Sequence, residues 1–162
     1  MDYRNVAPGD IGAMIELNRA TPIVAQHSKY IFQLCATLYW QRCFVAYTGS
    51  RLAGYALGIP GSDSQTEFLL QVVVDNSHSG KFVGANLMKS HCAWAKTQPC
   101  VTRIWTSVRV GYRNGLALIK QAGRNGLCYN DIAWPNKGHL DEEERLIEAK
   151  LPFSQETVWN GA

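Results

Sequence analysis

The segment that most restricts how this chain can fold is Phe68-Leu69-Leu70-Gln71-Val72-Val73-Val74, apolar everywhere except Gln71. A valine-rich run without polar alternation predicts a strand covered on both faces, as in a sheet flanked by helices. The next twenty residues are equally restrictive. Asp75-Asn76-Ser77-His78-Ser79 is polar, and from Gly80 to Lys96 the apolar residues Val83, Gly84, Leu87, Met88, Cys92 and Ala95 fall on one helical face, with Pro99 stopping any extension. A buried strand that turns tightly into a helix leaves the N–H groups of the first turn unpaired at the positive end of the helix dipole. Such a corner binds anions, and Gly80 and Gly84 let the main chain come close to phosphate oxygens. A diphosphate is the ligand this geometry predicts, with His78 in the turn as a further donor.

The flanking sequence supplies the rest of a mixed sheet. Tyr3 to Val6 reads as a short strand, Asp10 as the cap of a helix through Ile11, Met14, Ile15 and Leu17, and Ser28 as the cap of a second helix ending near Trp40. Residues 43–47 and 52–59 form a hairpin around Thr48-Gly49-Ser50-Arg51. Ile104 to Val108 is a fifth strand, Asn114 opens a helix ending near Gly123 or Gly126, and Leu127 to Trp134 is a sixth strand. The acidic stretch Asp141 to Lys150 reads as a surface helix with Glu and Lys spaced for local pairing, and Thr157-Val158-Trp159 as a closing edge strand that two subunits could share as a homodimer contact. With no internal repeat or low-complexity linker, these elements predict one α/β domain over residues 1–162.

A chain of 162 residues, 46% hydrophobic and 18% charged, suits a single core. A formal charge of +3 without any Lys/Arg run is compatible with a polyanionic small ligand and weak for nucleic acid. Five cysteines with no CxxC pair argue against a disulfide framework or a structural zinc, and the four histidines show no metal spacing. No window approaches the roughly twenty apolar residues of a membrane span, and the first residues contain no apolar stretch, so a cytoplasmic protein is expected.

The strand, turn and helix around residues 72–87 resemble the acetyl-CoA-binding motif of the GNAT superfamily of N-acyltransferases, Arg/Gln-x-x-Gly-x-Gly/Ala. Gly84 matches its last position and Gly80 the glycine often found after the Arg, while Ser79 stands where Arg or Gln is usual and Phe82 where the middle Gly is usual. Tyr3 to Ile11 is similar to the family's opening, and Asn114-Gly115-Leu116-Ala117 followed by Gly126-Leu127 to its Asn-x-x-Ala and closing segment, so the resemblance spans Tyr3 to about Leu127. Residues 66–75 with 28–35 are also faintly similar to diaminobutyrate acetyltransferases, without the aromatic residue expected before Gln71 or both tyrosines expected near Tyr30.

The resemblance implies a sheet of about six to seven strands with about four helices, and acetyl transfer from acetyl-CoA to a small-molecule amine. It implies that the main chain of Val72, Val73 and Val74 pairs with the pantetheine arm. Ser79, Gly80, Lys81, Phe82, Val83, Gly84 and Ala85 would then hold the diphosphate, with Asn114 beside it, and Tyr30 and Gln71 would meet the acceptor. Acyl transfer needs a base for the amine and an acid for the thiolate. Glu67, at the start of the fourth strand, is the expected base; the tyrosine often found late in the fourth helix is replaced by Gln121 and Ala122, with Tyr112 and Tyr129 nearby in sequence, of which Tyr112 is the candidate. Tyr30, Phe32, Tyr39 and Trp40 are the expected acceptor wall. Two other readings share these residues: a degenerate domain that binds acyl-CoA or a protein without catalysis, and an enzyme that takes its acyl group from an acidic carrier protein through Lys81 and Lys89.

Overall fold

The computed structural model describes residues 1–109, 112–124, 129–133 and 144–151. Its elements are β1 (Asp2–Asn5), α1 (Ile11–Arg19), α2 (Lys29–Thr37), β2 (Phe44–Thr48), β3 (Arg51–Pro60), β4 (Thr66–Val74), α3 (Val83–Lys96), β5 (Arg103–Arg109), α4 (Arg113–Arg124), β6 (Tyr129–Ile132) and β7 (Glu144–Lys150). Among the described residues seven strands form one sheet, in the order β1-β2-β3-β4-β5-β7-β6. Every pairing is antiparallel except β4 with β5. The parallel pair is the one joined by a crossover helix, α3, as parallel neighbours require.

Each face of the sheet has its own core. On one, Leu87, Met88, Cys92 and Ala95 of α3 close over Ala53, Ala56, Leu69 and Ile104, with Leu118 of α4 at the edge. On the other, Met14 and Leu17 of α1 and Phe32 and Cys35 of α2 close over Val45, Tyr55, Leu57 and Val73. Leu69 and Val73 belong to the same strand and would share a face if β4 alternated regularly. They do not, because β4 carries a bulge: Gln71 pairs with Leu57 and Leu69 with Gly58, so Leu70 faces no β3 residue. The extra residue turns the remainder of the strand over.

Two expectations are corrected by the structure. Residues 144–150 are a strand, not a surface helix, and lie between β5 and β6 with Leu146, Ile147 and Ala149 buried; Asp141 to Glu143 fall outside the described residues, as does the closing strand expected at Thr157–Trp159. The second helix stops at Thr37 rather than near Trp40, and a short 3-10 turn at Trp40–Arg42 leads into β2. Among the described residues no helix is long and apolar enough to cross a membrane.

Candidate active site

The parallel ladder between β4 and β5 ends at Leu69 opposite Thr106. Beyond that point β4 runs on to Val74 and β5 to Arg109, so the strands part and leave a wedge in the sheet. The wedge is a cleft of about 330 Å³ between Leu69–Val72 of β4, Thr106–Arg109 of β5 and Pro22–Gln26 of the connection between α1 and α2. A second cleft, of about 550 Å³, extends from Val72–Val74 across the turn after β4 to the face of α4. Val72, Tyr112 and Leu118 line both, so the clefts adjoin.

The turn that floors the larger cleft is internally braced. Asp75 accepts from the Ser77 amide at 2.9 Å and from Arg51 Nη2 at 3.1 Å. The bonds from Ser77, and then from Arg51, hold its carboxyl down at about 2. His78 is buried, with Nδ1 3.0 Å from Ser77 Oγ and Nε2 3.3 Å from Thr48 Oγ1, so both ring nitrogens have protein partners although the residue lines the cleft. Gly80 has φ +75°, a conformation an L side chain rarely adopts. Among the described residues no side chain caps α3, and its first-turn amides have no acceptor within the helix. Gly84 is needed for packing as well, since a Cβ there would lie 3.1 Å from Leu118 Cδ1 and 3.3 Å from Val74 Cγ2.

Phe82 departs from the expectation of a helical first turn. α3 begins at Val83, and Phe82 precedes it in the left-handed region at φ 61°, ψ 12°, with its ring 61% exposed at the cleft rim. It is the one non-glycine residue with positive φ among those described. For an aromatic side chain this conformation costs about 1–2 kcal/mol. The glycine usual at this position in the GNAT motif thus has a steric reason.

Of the residues expected to hold the donor, Val72, Val73, Val74, Ser79, Gly80, Phe82, Val83, Gly84, Ala85 and Asn114 all line the larger cleft, whereas Lys81 does not. Tyr112 stands where the clefts meet; burial raises its pKa and keeps the phenol protonated, against a weaker opposing effect from a hydrogen bond with Asn114. Gln71 lines the wedge. Tyr30 lines neither cleft and points to solvent, 64% exposed. Phe32 is core, and Tyr39 and Trp40 are likewise absent from the cleft walls. The second helix does not wall the wedge; Pro22–Gln26 does, a stretch without the periodicity that would single it out in the sequence. Glu144 and Arg109, opposite each other in register, also line the wedge; the local helix preference of its segment conceals Glu144 in the sequence.

Glu67 lies away from both clefts. It sits on the part of β4 still paired with β5, 1% exposed, with Oε2 accepting from Arg42 Nη1 at 2.7 Å. Arg42 in turn stacks on Trp94 and Tyr39. Oε1 has no hydrogen-bond partner and faces His91 Nε2, equally unpartnered, at 3.8 Å. His91 Nδ1 lies 2.8 Å from the Arg42 carbonyl, which can only accept, so the neutral ring carries its proton there and turns a lone pair toward Glu67. Burial pushes the Glu67 carboxyl up to about 8, opposed by the Arg42 charge, and the fully buried His91 ring down to about 4. Burial thus favours the uncharged form of each group, a carboxylic acid facing a neutral imidazole. Gly58 makes the space: a Cβ there would lie 2.3 Å from His91 Cε1 and 2.8 Å from Glu67 Oε1.

Comparison with known proteins identifies the architecture. The sequence profile of the acetyltransferase (GNAT) family matches residues 12–123, well over half of the chain. No curated protein sequence matches the chain closely enough to count as a relative. Among solved structures, the diaminobutyrate acetyltransferase EctA from Paenibacillus lautus, in complex with L-2,4-diaminobutyric acid and coenzyme A, superposes with a TM-score of 0.76 at 20% identity over 92% of this chain and 93% of that one. The ribosomal-protein-S18-alanine N-acetyltransferase from Escherichia coli gives 0.74 at 13% identity over 98% of each chain. A GNAT-like decarboxylase, GphF, in complex with isobutyryl-CoA gives 0.69 at 14% identity over 93% of this chain and 99% of that one. At such identities the likeness is one of fold, and the family assignment rests on the profile match. The parted strands, the unpaired amides beside them and that match lead to one conclusion: this chain belongs to the GNAT acetyltransferase family and is a transferase of that class.

Proposed function

We propose that this protein moves an acetyl group from acetyl-CoA to a primary amine of a small molecule by direct attack. The observation that carries the reading is the adjacency of the two clefts: the one at the start of α3 opens, across Val72 and Tyr112, into a wedge between β4 and β5. The diphosphate would lie on the amides of Gly80 and of Phe82 to Ala85, the Lys81 amide being bonded to the His78 carbonyl. The pantetheine arm would follow β4, where Val72 to Val74 have no β5 partner. The thioester would then enter the wedge beside the bulge residue Leu70, whose amide would polarise its carbonyl. At about 330 Å³ the wedge suits a small acceptor.

The amine nitrogen would attack the thioester carbon, form the new C–N bond and pass a proton to Glu144, the carboxylate lining the wedge. Collapse of the tetrahedral species breaks the C–S bond. Tyr112, protonated at neutral pH, would give its proton to the departing thiolate. Glu67 has no part in this reading, because a sealed carboxylic acid reaches neither reactant. That same fact favours a second reading, a domain that binds acyl-CoA without turnover.

Thermal unfolding with and without CoA, joined to an assay of CoA release from acetyl-CoA with a panel of primary amines, separates the readings. Binding at 100 times Kd would stabilise the fold by about 2.7 kcal/mol. A shift with release supports transfer, and a shift without release supports the binding domain. No shift with CoA, but one with a phosphopantetheinylated carrier protein, would move the donor assignment to the carrier.

A further inference from the structure

Residues 20–28, of which Pro22–Gln26 wall the wedge on the side of α1 and α2, have no regular secondary structure. Their position is fixed by side chains. Asn18 Nδ2 donates to the Ala25 carbonyl at 3.0 Å, and Asn18 Oδ1 accepts from the His27 amide at 3.2 Å. Gln26 Nε2 donates back to the Asn18 carbonyl at 2.9 Å. All of these tie the connection to its own helix. Among the described residues, the hydrogen bond that ties it to the sheet is the one from Gln71 Nε2 to the Ala25 carbonyl, at 2.7 Å.

The Gln71 amide is held from behind. Its Oε1 accepts from the Tyr55 hydroxyl at 2.8 Å and from Asn18 Nδ2 at 3.4 Å. Tyr55 is wholly buried, and burial raises its pKa, so the phenol remains a donor throughout the working range. A carbonyl on one side and a phenol on the other permit only one orientation of the amide, nitrogen toward the connection and oxygen toward the sheet. Gln71 reaches this place because of the bulge at Leu70: in a regular strand it would share the face of Leu69, against α3, and miss the connection altogether.

We infer that Gln71 is a positioning residue for the acceptor, a clasp that holds the Pro22–Gln26 wall against β4 and so sets the width and selectivity of the wedge. This rests on the wedge being the acceptor site of the proposed reaction. It differs from the sequence expectation of Gln71 as a direct acceptor contact, because its oxygen and one amide hydrogen are already bound within the protein.

The test uses the full chain with Gln71→Met, which keeps length and removes all three bonds of the amide, and Tyr55→Phe, which removes only the hydroxyl that orients it. Two readouts are needed: amide hydrogen exchange across residues 20–28, and CoA release from acetyl-CoA with primary amines of graded size. For Gln71→Met, exchange in 20–28 is expected to rise about tenfold, the scale of one lost buried hydrogen bond, with β2 and β3 unchanged. KM for the best amine should rise by a similar factor or the preference among amines flatten, while kcat and CoA affinity hold; Tyr55→Phe should move the same way by less. Unchanged exchange in both variants overturns the clasp. So does faster exchange with amine KM and preference intact, since the bond would then be merely structural. If the wild-type chain releases CoA with none of the amines, the acetyl-transfer reading falls instead, and exchange alone decides whether Gln71 holds the connection.

Discussion

At its start β4 buries a carboxylate, Glu67, among Arg42, His91 and a glycine that leaves them space, sealed on every side. Past the bulge the same strand carries three valines whose side chains are ordinary core or cleft lining, yet there the sheet parts and the clefts meet. A strongly displaced carboxyl pKa marks functional sites often enough to draw attention to Glu67. Here it marks the closed end. The chemistry proposed for this protein belongs to the end where the residue types look least chemical, because main chain and a gap between strands create it.

Replacement of Tyr112 by Phe should have the largest effect on this contrast. Loss of the proposed acid should lower kcat about 100-fold, roughly 3 kcal/mol, with CoA affinity retained. Steady-state rates against calorimetric Kd would show it, and an unaltered kcat would remove Tyr112 from the reaction.

Glu67→Gln probes the opposite end and should leave turnover intact while changing how stability depends on pH. The carboxyl is ordinarily near 4.5 and stands at about 8 in the fold, so its contribution is complete below about 4.5 and is lost as pH rises through 8. His91 runs the other way, from 6.5 down to about 4, and loses its contribution as pH falls through that range. The two oppose each other between about 4.5 and 6.5, which leaves 6.5 to 8 as the window where Glu67 acts alone. Wild-type stability should fall there by an amount on the order of 2 kcal/mol. The Gln variant, whose amide still serves both Arg42 and His91, should stay flat. Urea midpoints at pH 6.5 and 9 would decide, and parallel curves for the two proteins would mean that Glu67 is already ionised at neutral pH.

Gly84→Ala should act more weakly, at the open end alone. A methyl group 3.1 Å from Leu118 pushes α4 away from the first turn of α3, and CoA affinity is expected to drop severalfold, about 1 kcal/mol. Titration calorimetry with CoA would register the change, and equal affinity would detach the diphosphate from this turn.

The smallest effect is expected from Phe82→Gly. About 1–2 kcal/mol of left-handed strain would be relieved, against roughly 0.5–1 kcal/mol of added backbone freedom in the unfolded chain. The net gain, about 0.5 kcal/mol, should be visible as a small rise in melting temperature. A clear loss would mean that the exposed ring makes contacts worth more than the strain.

Most of the architecture was legible because apolar spacing carries it: Val83, Leu87, Met88 and Ala95 announce a helix face, and Phe68 to Val74 a covered strand. Residues 144–150 were not, since Glu, Leu, Ala and Lys all favour helix locally, and only pairing with β5 and β6 on both edges makes them a strand. The donor corner was legible as strand, turn and glycine. The wall of the wedge was not, because Pro22–Gln26 is shaped by bonds from Asn18 and Gln71 that no periodicity encodes. Glu67 misled for a related reason: Arg42 and His91 are distant in sequence and meet it only in three dimensions.

The early end of the β4–β5 ladder has a consequence for how this protein can drift. A partner that reads peptide groups is indifferent to the side chains hung on them, so exchanges among Val, Ile and Leu at positions 72 and 74 should leave its hold on such a partner nearly untouched. Proline at either place would delete an N–H outright. If the pantetheine arm pairs with β4 as proposed, descendants of this sequence would be free to lose the valines and still keep the grip, and a search for conserved side chains would overlook it.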